Sequence, residues 1–155
     1  MCGLCIKKLL PGDLCLLTSL HKYNNIDDMI YQNSKKINEG DIDIFGLFLN
    51  DRLIGEIRAA YNNENTIFAK KGIRVYLYAF RIHKNYRAKG FGRYLIENVI
   101  SLLEYDGYSE FTIGVEDDNS VAKKIYNSLG FGIFVDRITE EYQGDNYEYN
   151  LYLKK

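Results

Sequence analysis

The sequence predicts an α/β domain in which a mixed central sheet of about seven strands carries about four helices on its faces. Three observations lead there. Two apolar runs flank Asn50-Asp51, which reads as an antiparallel hairpin. A β-prone stretch, a basic glycine turn and an amphipathic run follow in that order from Ile73 to Gly107. The end of the chain alternates Tyr147, Tyr149, Leu151 and Leu153 against Glu148, Asn150, Tyr152 and Lys154, the period of a strand.

Each element has its own local reason. Cys5 to Leu9 reads as a short strand that Pro11-Gly12 breaks, and Asp13 is placed to cap a first helix running to about Tyr23. Ile26, Met29, Ile30 and Ile37 mark one face of a second helix ended by Gly40. Ile42 to Leu49 and Arg52 to Ala60 are the hairpin strands, and the asparagine-rich stretch Tyr61 to Gly72 is a loop before the strand Ile73 to Ile82. Leu95, Ile96, Val99, Ile100 and Leu103 line one face of a third helix. Phe111 to Val115 is a strand, Val121, Ala122, Ile125, Tyr126 and Leu129 recur at helical spacing, and Gly132 to Asp136 and Tyr147 to Leu153 close the chain as strands.

Size and charge narrow the function. With 155 residues, 46% apolar and 26% charged, residues 1–155 read as one domain. A net charge of -1 gives no global attraction to nucleic acid or membrane. No apolar run approaches the roughly 20 residues of a membrane span, and the first residues lack a secretory cleavage pattern, so a cytoplasmic location is expected. Three cysteines argue against a disulfide scaffold. Cys2 and Cys5 form a C-x-x-C, but only Cys15, His21 and His83 remain as partners, none at a second paired spacing, so no metal site is expected. The plainer reading is a flexible terminus, with Cys5 and Cys15 as small buried hydrophobes.

The charges are unevenly spread. Residues 65–96 hold eight basic and no acidic side chains, whereas residues 97–155 hold five basic and twelve acidic ones. Lys70, Lys71, Arg74, Arg81, Lys84, Arg87, Lys89 and Arg93 would ordinarily form a solvated face. Here the last five crowd around Gly90 and Gly92. Glycines in that turn let backbone approach a ligand, and unpaired amides opening the next helix suit an anion such as a pyrophosphate. A Rossmann motif is excluded because its third glycine would fall at Leu95, and no Walker A loop occurs.

Arg87-Ala88-Lys89-Gly90-Phe91-Gly92 resembles the pyrophosphate signature of the GNAT superfamily of N-acyltransferases, which is Arg or Gln, two residues, Gly, one residue, Gly or Ala. Asn119, Ala122, Tyr126 and Leu129-Gly130-Phe131 are similar to a second motif of that family. The likeness is detailed from about Val75 to Phe134, and the order of elements extends it over most of the chain. It implies a GNAT-like, mostly antiparallel sheet and acetyl-CoA as cosubstrate, held between the strands Val75 to Ile82 and Phe111 to Val115. It further implies that backbone around Phe80 to Ile82 binds the pantetheine. The amides of Ala88, Lys89, Gly90, Phe91, Gly92 and Arg93 would bind the pyrophosphate with Arg87, Lys89 and Arg93 adding charge, and Asn119 would touch the arm. The Ile82 amide would face the thioester carbonyl as an oxyanion donor.

By the same resemblance Tyr126 meets the departing thiolate, although its spacing alone fits core packing. A phenol with pKa about 10 does not readily protonate a thiolate of about 8.5, so hydrogen-bond stabilisation is preferred to full transfer. The amine acceptor must lose a proton before attack. Protein N-terminal acetyltransferases of the superfamily often carry a glutamate five residues before the Asn, where this chain has Gly114. Glu116 is the nearest replacement base and Glu56 the second candidate, although a solvated charge is the plainer reading of each. Asp117, Asp118, Glu140, Glu141, Asp145 and Glu148 could border the cleft and suit a cationic amine, or serve solubility alone. Tyr76, Tyr78, Tyr142 and Tyr147 could floor an aromatic pocket.

The leading expectation is therefore an acetyl-CoA-dependent N-acetyltransferase acting on a primary amine of a small molecule or peptide by direct attack in a ternary complex. A protein acetyltransferase, acting on an N-terminus or a lysine, and a non-catalytic acyl-CoA sensor or interaction domain are the alternatives. An enclosed pocket would favour the first over a protein acceptor. No nucleic-acid or membrane partner is expected, and Tyr147 to Leu153 is read as an edge strand able to pair across a homodimer.

Overall fold

The computed structural model describes residues 3–155. Its seven strands form one sheet in the order β1-β2-β3-β4-β5-β7-β6. Strand β1 (Leu4–Lys8) pairs antiparallel with β2 (Ile42–Leu49), and β2 with β3 (Arg52–Ala60). Asn50 and Asp51 make the expected two-residue turn, with φ of 48° and 67°; positive values at both positions match the right-handed twist of the strands they join.

The segment expected as a first helix to Tyr23 is instead a 3-10 helix, Pro11–Ser19. Leu14 and Leu17 are both fully buried, and their spacing of three suits three residues per turn. Asp13 is not the cap. Proline at the first helical position starts the turn earlier, and the Asp13 carboxylate reaches back to accept the Leu10 amide at 2.9 Å. Helix α1 (Ile26–Asn38) follows as expected, with the Asn25 side chain accepting the Asp28 amide at 2.9 Å.

Strand β4 (Arg74–Ile82) leads through the glycine turn into helix α2 (Phe91–Tyr105) and then β5 (Glu110–Val115). The helical crossover returns the chain in the same direction, so β4 and β5 are the one parallel pair. Leu95, Ile96, Val99, Ile100 and Leu103 all bury against the sheet, each contributing about 1.5–3 kcal/mol of transfer free energy. Helix α3 (Ser120–Ser128) lies with α2 on that face, and the 3-10 helix and α1 cover the other.

The last two strands are longer than the sequence pattern implies. Strand β6 (Ile133–Tyr142), expected to stop at Asp136, continues to a tight turn at Gln143 and Gly144, with φ of 51° and 88°, and pairs with β7 (Asp145–Lys154). Because β7 also pairs with β5, Tyr147 to Leu153 is an interior strand and not an edge. From Asn150 to Leu153 its backbone is committed on both sides, so the strand is not the open edge expected for pairing across a homodimer; the edge on this side of the sheet is β6.

Cys5 and Cys15 are exposed, contrary to the expectation of burial, because their neighbours Leu4, Ile6, Leu14 and Leu17 supply the inward faces. Cys2, the other half of the C-x-x-C, lies outside the described residues, and so does the terminus read there as flexible. Among the described residues, no three metal-ligating side chains cluster and no helix is long and apolar enough to cross a membrane.

Candidate active site

The site begins with a break in the sheet. Strands β4 and β5 pair from Arg74 and Glu110 to Leu77 and Ile113, and no further. Glu56 opposes Arg81 and Arg58 opposes Tyr78, so Ala79 and Phe80 together face the single residue Ile57. This is a β-bulge, and Ala79 sits in it at φ 50°, an uncommon conformation for a side-chain-bearing residue. Beyond the bulge the two strands part. A cleft of about 1180 Å³ runs along this opening, with Phe80, Val115, Asn119 and Tyr126 in its wall together with Tyr76, Tyr78, Glu140 and Tyr149. Phe80 and Tyr126 pack with the α2 core, whereas Tyr76, Tyr78 and Tyr149 pack with the clusters of the opposite face, so the cleft connects the two faces of the sheet.

The glycine turn adjoins this opening. Ala88 and Gly90 take φ of 59° and 84°, and Gly90 caps α2 without any side-chain hydrogen bond. The amides of Phe91, Gly92 and Arg93 precede the first helical hydrogen bond, which Tyr94 donates to the Gly90 carbonyl at 3.1 Å. Three donors and a positive helix end therefore face outward, the arrangement that holds an anion. Gly92 also brings the helix against β4: an added Cβ would lie 3.3 Å from Cζ of Phe80. The basic side chains are partly occupied. Arg87 donates from Nε to the Ile82 carbonyl at 2.9 Å, and Arg93 bonds Glu97 at 3.1 Å and Ser128 at 2.6 Å. Lys89 is exposed.

The remaining expected residues take distinct positions. His83 donates its amide to Ile54 at 2.7 Å, so ladder alternation turns the Ile82 amide away from β3, toward the opening. Tyr126 lines the cleft and is 7% exposed, and burial pushes its phenol above the usual tyrosine range. Asn119 is the cap of α3, its Oδ1 accepting the Ala122 amide at 3.1 Å, and it lines the cleft. Glu116 is exposed at the end of β5 and borders the cleft. Glu56 is neither solvated nor free: it is fully buried, with Arg58 at 2.8 Å and Arg81 at 3.3 Å engaging its two oxygens. Tyr23 and Asn33 accept the other Arg58 donors at 2.9 and 3.3 Å. Its place is structural.

On the far face the cleft is walled by tyrosines. Tyr76, Tyr78, Tyr142 and Tyr147 line it as expected, and so does Tyr149, which the sequence did not single out. Its place in the cleft is marked by Gly114, whose missing side chain is explained here. An added Cβ at 114 would collide with the Tyr149 ring, so that ring occupies the place of a β5 side chain. Of the six C-terminal acids, Asp118 and Glu140 line the cleft, while Asp117 and Glu148 pair with Arg137 at 3.0 and 2.9 Å. The tip of the β6–β7 hairpin is tied to the segment before α1. Tyr142 hydrogen-bonds His21 at 3.0 Å, and Gln143 accepts the Asn24 amide at 2.8 Å and donates to the Lys22 carbonyl at 3.3 Å. These contacts tie the tyrosine-lined side of the cleft to the segment before α1.

A sheet splayed beside a glycine-turned helix start is the arrangement that the resemblance implies. The family model described as acetyltransferase (GNAT) family matches residues 16–131, and the chain belongs to that family of N-acetyltransferases. Its fold is similar to a spermidine N-acetyltransferase chimera from Vibrio cholerae and hSSAT, at 19% identity over 98% of this chain and 95% of the other, with a TM-score of 0.77. It is similar as well to a ribosomal-protein-alanine N-acetyltransferase from Brucella melitensis, at 14% identity over 97% and 98% of the two chains, with a TM-score of 0.72. A third similar structure is a Salmonella typhimurium acetyltransferase solved with its cofactor acetyl-CoA, at 16% identity over 97% and 92%, with a TM-score of 0.69. No curated protein matches the chain by sequence.

Proposed function

We propose that this chain transfers the acetyl group of acetyl-CoA to the primary amine of a small molecule or a slender peptide end, by direct attack in a ternary complex. The observation that carries this reading is the cleft itself. It opens beside Phe80, against which Gly92 of the amide-bearing turn packs, and extends to a strapped chamber of tyrosines on the other face. Among the similar structures, one is named for spermidine and another for a ribosomal-protein alanine. The strap at Tyr142 and Gln143 favours the slimmer acceptor.

In this reading the amides from Ala88 to Arg93 bind the pyrophosphate, with Lys89 and the free donors of Arg87 adding charge. Backbone of Phe80 to Ile82 pairs with the pantetheine, and the Asn119 NH2 meets it from α3. The Ile82 amide is a fixed donor for the oxygen that becomes negative as the amine attacks. Tyr126, whose phenol holds its proton firmly in its buried position, donates a hydrogen bond to the departing sulfur and keeps that proton. Glu116, exposed at the mouth, receives the acceptor's proton through water.

Calorimetric titration with acetyl-CoA tests the coenzyme half. Binding in the micromolar range is expected for the parent. Gly90→Asp puts a carboxylate in the cradle and a side chain at φ 84°, and should weaken binding by about a hundredfold. Tyr126→Phe should keep the affinity within about twofold while turnover falls about tenfold. Unchanged turnover would remove Tyr126 from the chemistry, and a folded parent that ignores acetyl-CoA would overturn the reading.

A further inference from the structure

We infer that Glu140 and the tyrosines around it dock a second positive charge on the acceptor, so that diamines are preferred over monoamines; this deepens, and rests on, the acyl-transfer reading above. Glu140 is the acid in the cleft whose partners are all phenols. Its Oε2 accepts from the Tyr147 hydroxyl at 2.9 Å and its Oε1 from the Tyr149 hydroxyl at 2.6 Å. Among the described residues, no basic side chain comes within 4.0 Å of it. Each carboxylate oxygen has accepted one bond and retains capacity for another. The phenols hold the anion in place without neutralising it.

The walls suit an organic cation. Tyr147 and Tyr149 stack with centroids 5.8 Å apart, Tyr76 and Tyr78 with centroids 5.3 Å apart, and the Tyr76 and Tyr149 hydroxyls meet at 3.4 Å. Aromatic faces beside a carboxylate attract an alkylammonium through both the ring quadrupole and the charge. An apolar occupant would take water from Glu140 and return no bond, and an anion would be repelled.

The docked charge is distinct from the reacting nitrogen. A carboxylate favours the ammonium form, whereas the attacking nitrogen must be neutral. Position separates the two. The Tyr149 ring lies over Gly114, just past the last β4–β5 pairing, and carries Glu140 on its hydroxyl. A reacting nitrogen at the β4–β5 opening and an ammonium beside Glu140, which sits at the hydroxyl end of the Tyr149 side chain, are thereby held apart and joined by an aliphatic spacer.

Steady-state acetylation of putrescine and of butylamine, the same carbon chain with one amine, tests this, with acetyl-CoA binding measured on every variant. The parent should show a kcat/KM for putrescine at least about tenfold above that for butylamine, the difference residing mainly in KM. Glu140→Gln should bring the ratio close to one with acetyl-CoA affinity retained. If that variant does not fold, Tyr147→Phe, which removes one of the two donors, should lower the ratio severalfold. A parent that treats both amines alike, a ratio that survives Glu140→Gln, or acetyl-CoA binding with acetylation of neither amine overturns the docking site and leaves the acyl-transfer reading standing. Loss of acetyl-CoA binding by the folded parent overturns the underlying reading instead.

Discussion

The two ends of the cleft are built by different means. At the end proposed for the coenzyme the outward-facing groups are backbone amides, held by a turn and a helix start within the contiguous stretch from Phe80 to Arg93. At the end proposed for the acceptor they are side chains, brought from β3, β4, β6, β7 and the segment before α1, residues as distant as His21 and Tyr142. A site made of backbone needs only glycines at the right spacing, so it leaves a short motif. A site made of side chains needs each neighbour in place, so it is exposed to the loss of any one of them.

The sharpest way to break the side-chain end is therefore to remove the buried charge that holds two of its lining arginines, Arg58 and Arg81. Glu56→Gln leaves Arg58, at 7% exposure, with its guanidinium buried and without an anion. Removing one partner of such a buried pair costs about 3 kcal/mol, or a fall in Tm of about 9 °C for a chain of this size. Thermal unfolding followed by circular dichroism measures it. A change in Tm under about 2 °C would mean that the pair is solvated and that the two ends are equally robust.

A smaller change sharpens the contrast within the sheet. Gly114→Ala puts a methyl against the Tyr149 ring, in the backbone of β5 where nothing is strained by φ. Displacing the ring should cost about 2 kcal/mol of stability. Acetyl-CoA affinity should stay within about twofold while acetylation of any amine slows, because Tyr149 lies on the acceptor side. Equal losses of coenzyme affinity and turnover would show that the two ends are one mechanical unit.

The same difference governs what can be read without a structure. Gly90, Gly92, Asn119 and Tyr126 stand at short spacings along the chain, and the strands and helices around them follow from apolar periodicity. The bulge at Ala79 left no sign, since neither Tyr78 nor Phe80 nor Ala79 itself marks a left-handed position. The extension of β6 was hidden because Arg137 to Glu141 is polar on an edge strand except for Ile138, with the hydrogen-bonded Tyr147 and Tyr149 supplying what its own side chains lack. Glu56 read as a strand charge of ordinary kind; only the tertiary arrangement puts two arginines on it. Gly114 was the informative anomaly, a departure whose cause lay on another strand.

The mildest perturbation is protonation of the strap. His21 faces Tyr142 and Tyr23 and lies near Arg81, Arg58 and Glu56; burial first, and then the Arg81 charge, hold its imidazole below the usual histidine value of 6.5. The unfolded chain therefore binds the proton more readily than the folded one. Stability from this group is full above about pH 6.5 and is lost as the pH falls through the lowered folded value. Tm of the parent should fall between about pH 7 and about pH 5 by more than that of His21→Asn, and the difference between the two proteins isolates this residue from the carboxylates that titrate in both. Acceptor affinity should follow the same difference, because the strap roofs the acceptor end alone, whereas acetyl-CoA affinity should not. Parallel pH curves for the two proteins would show that the hairpin tip is held by Gln143 and its backbone partners without help from the imidazole.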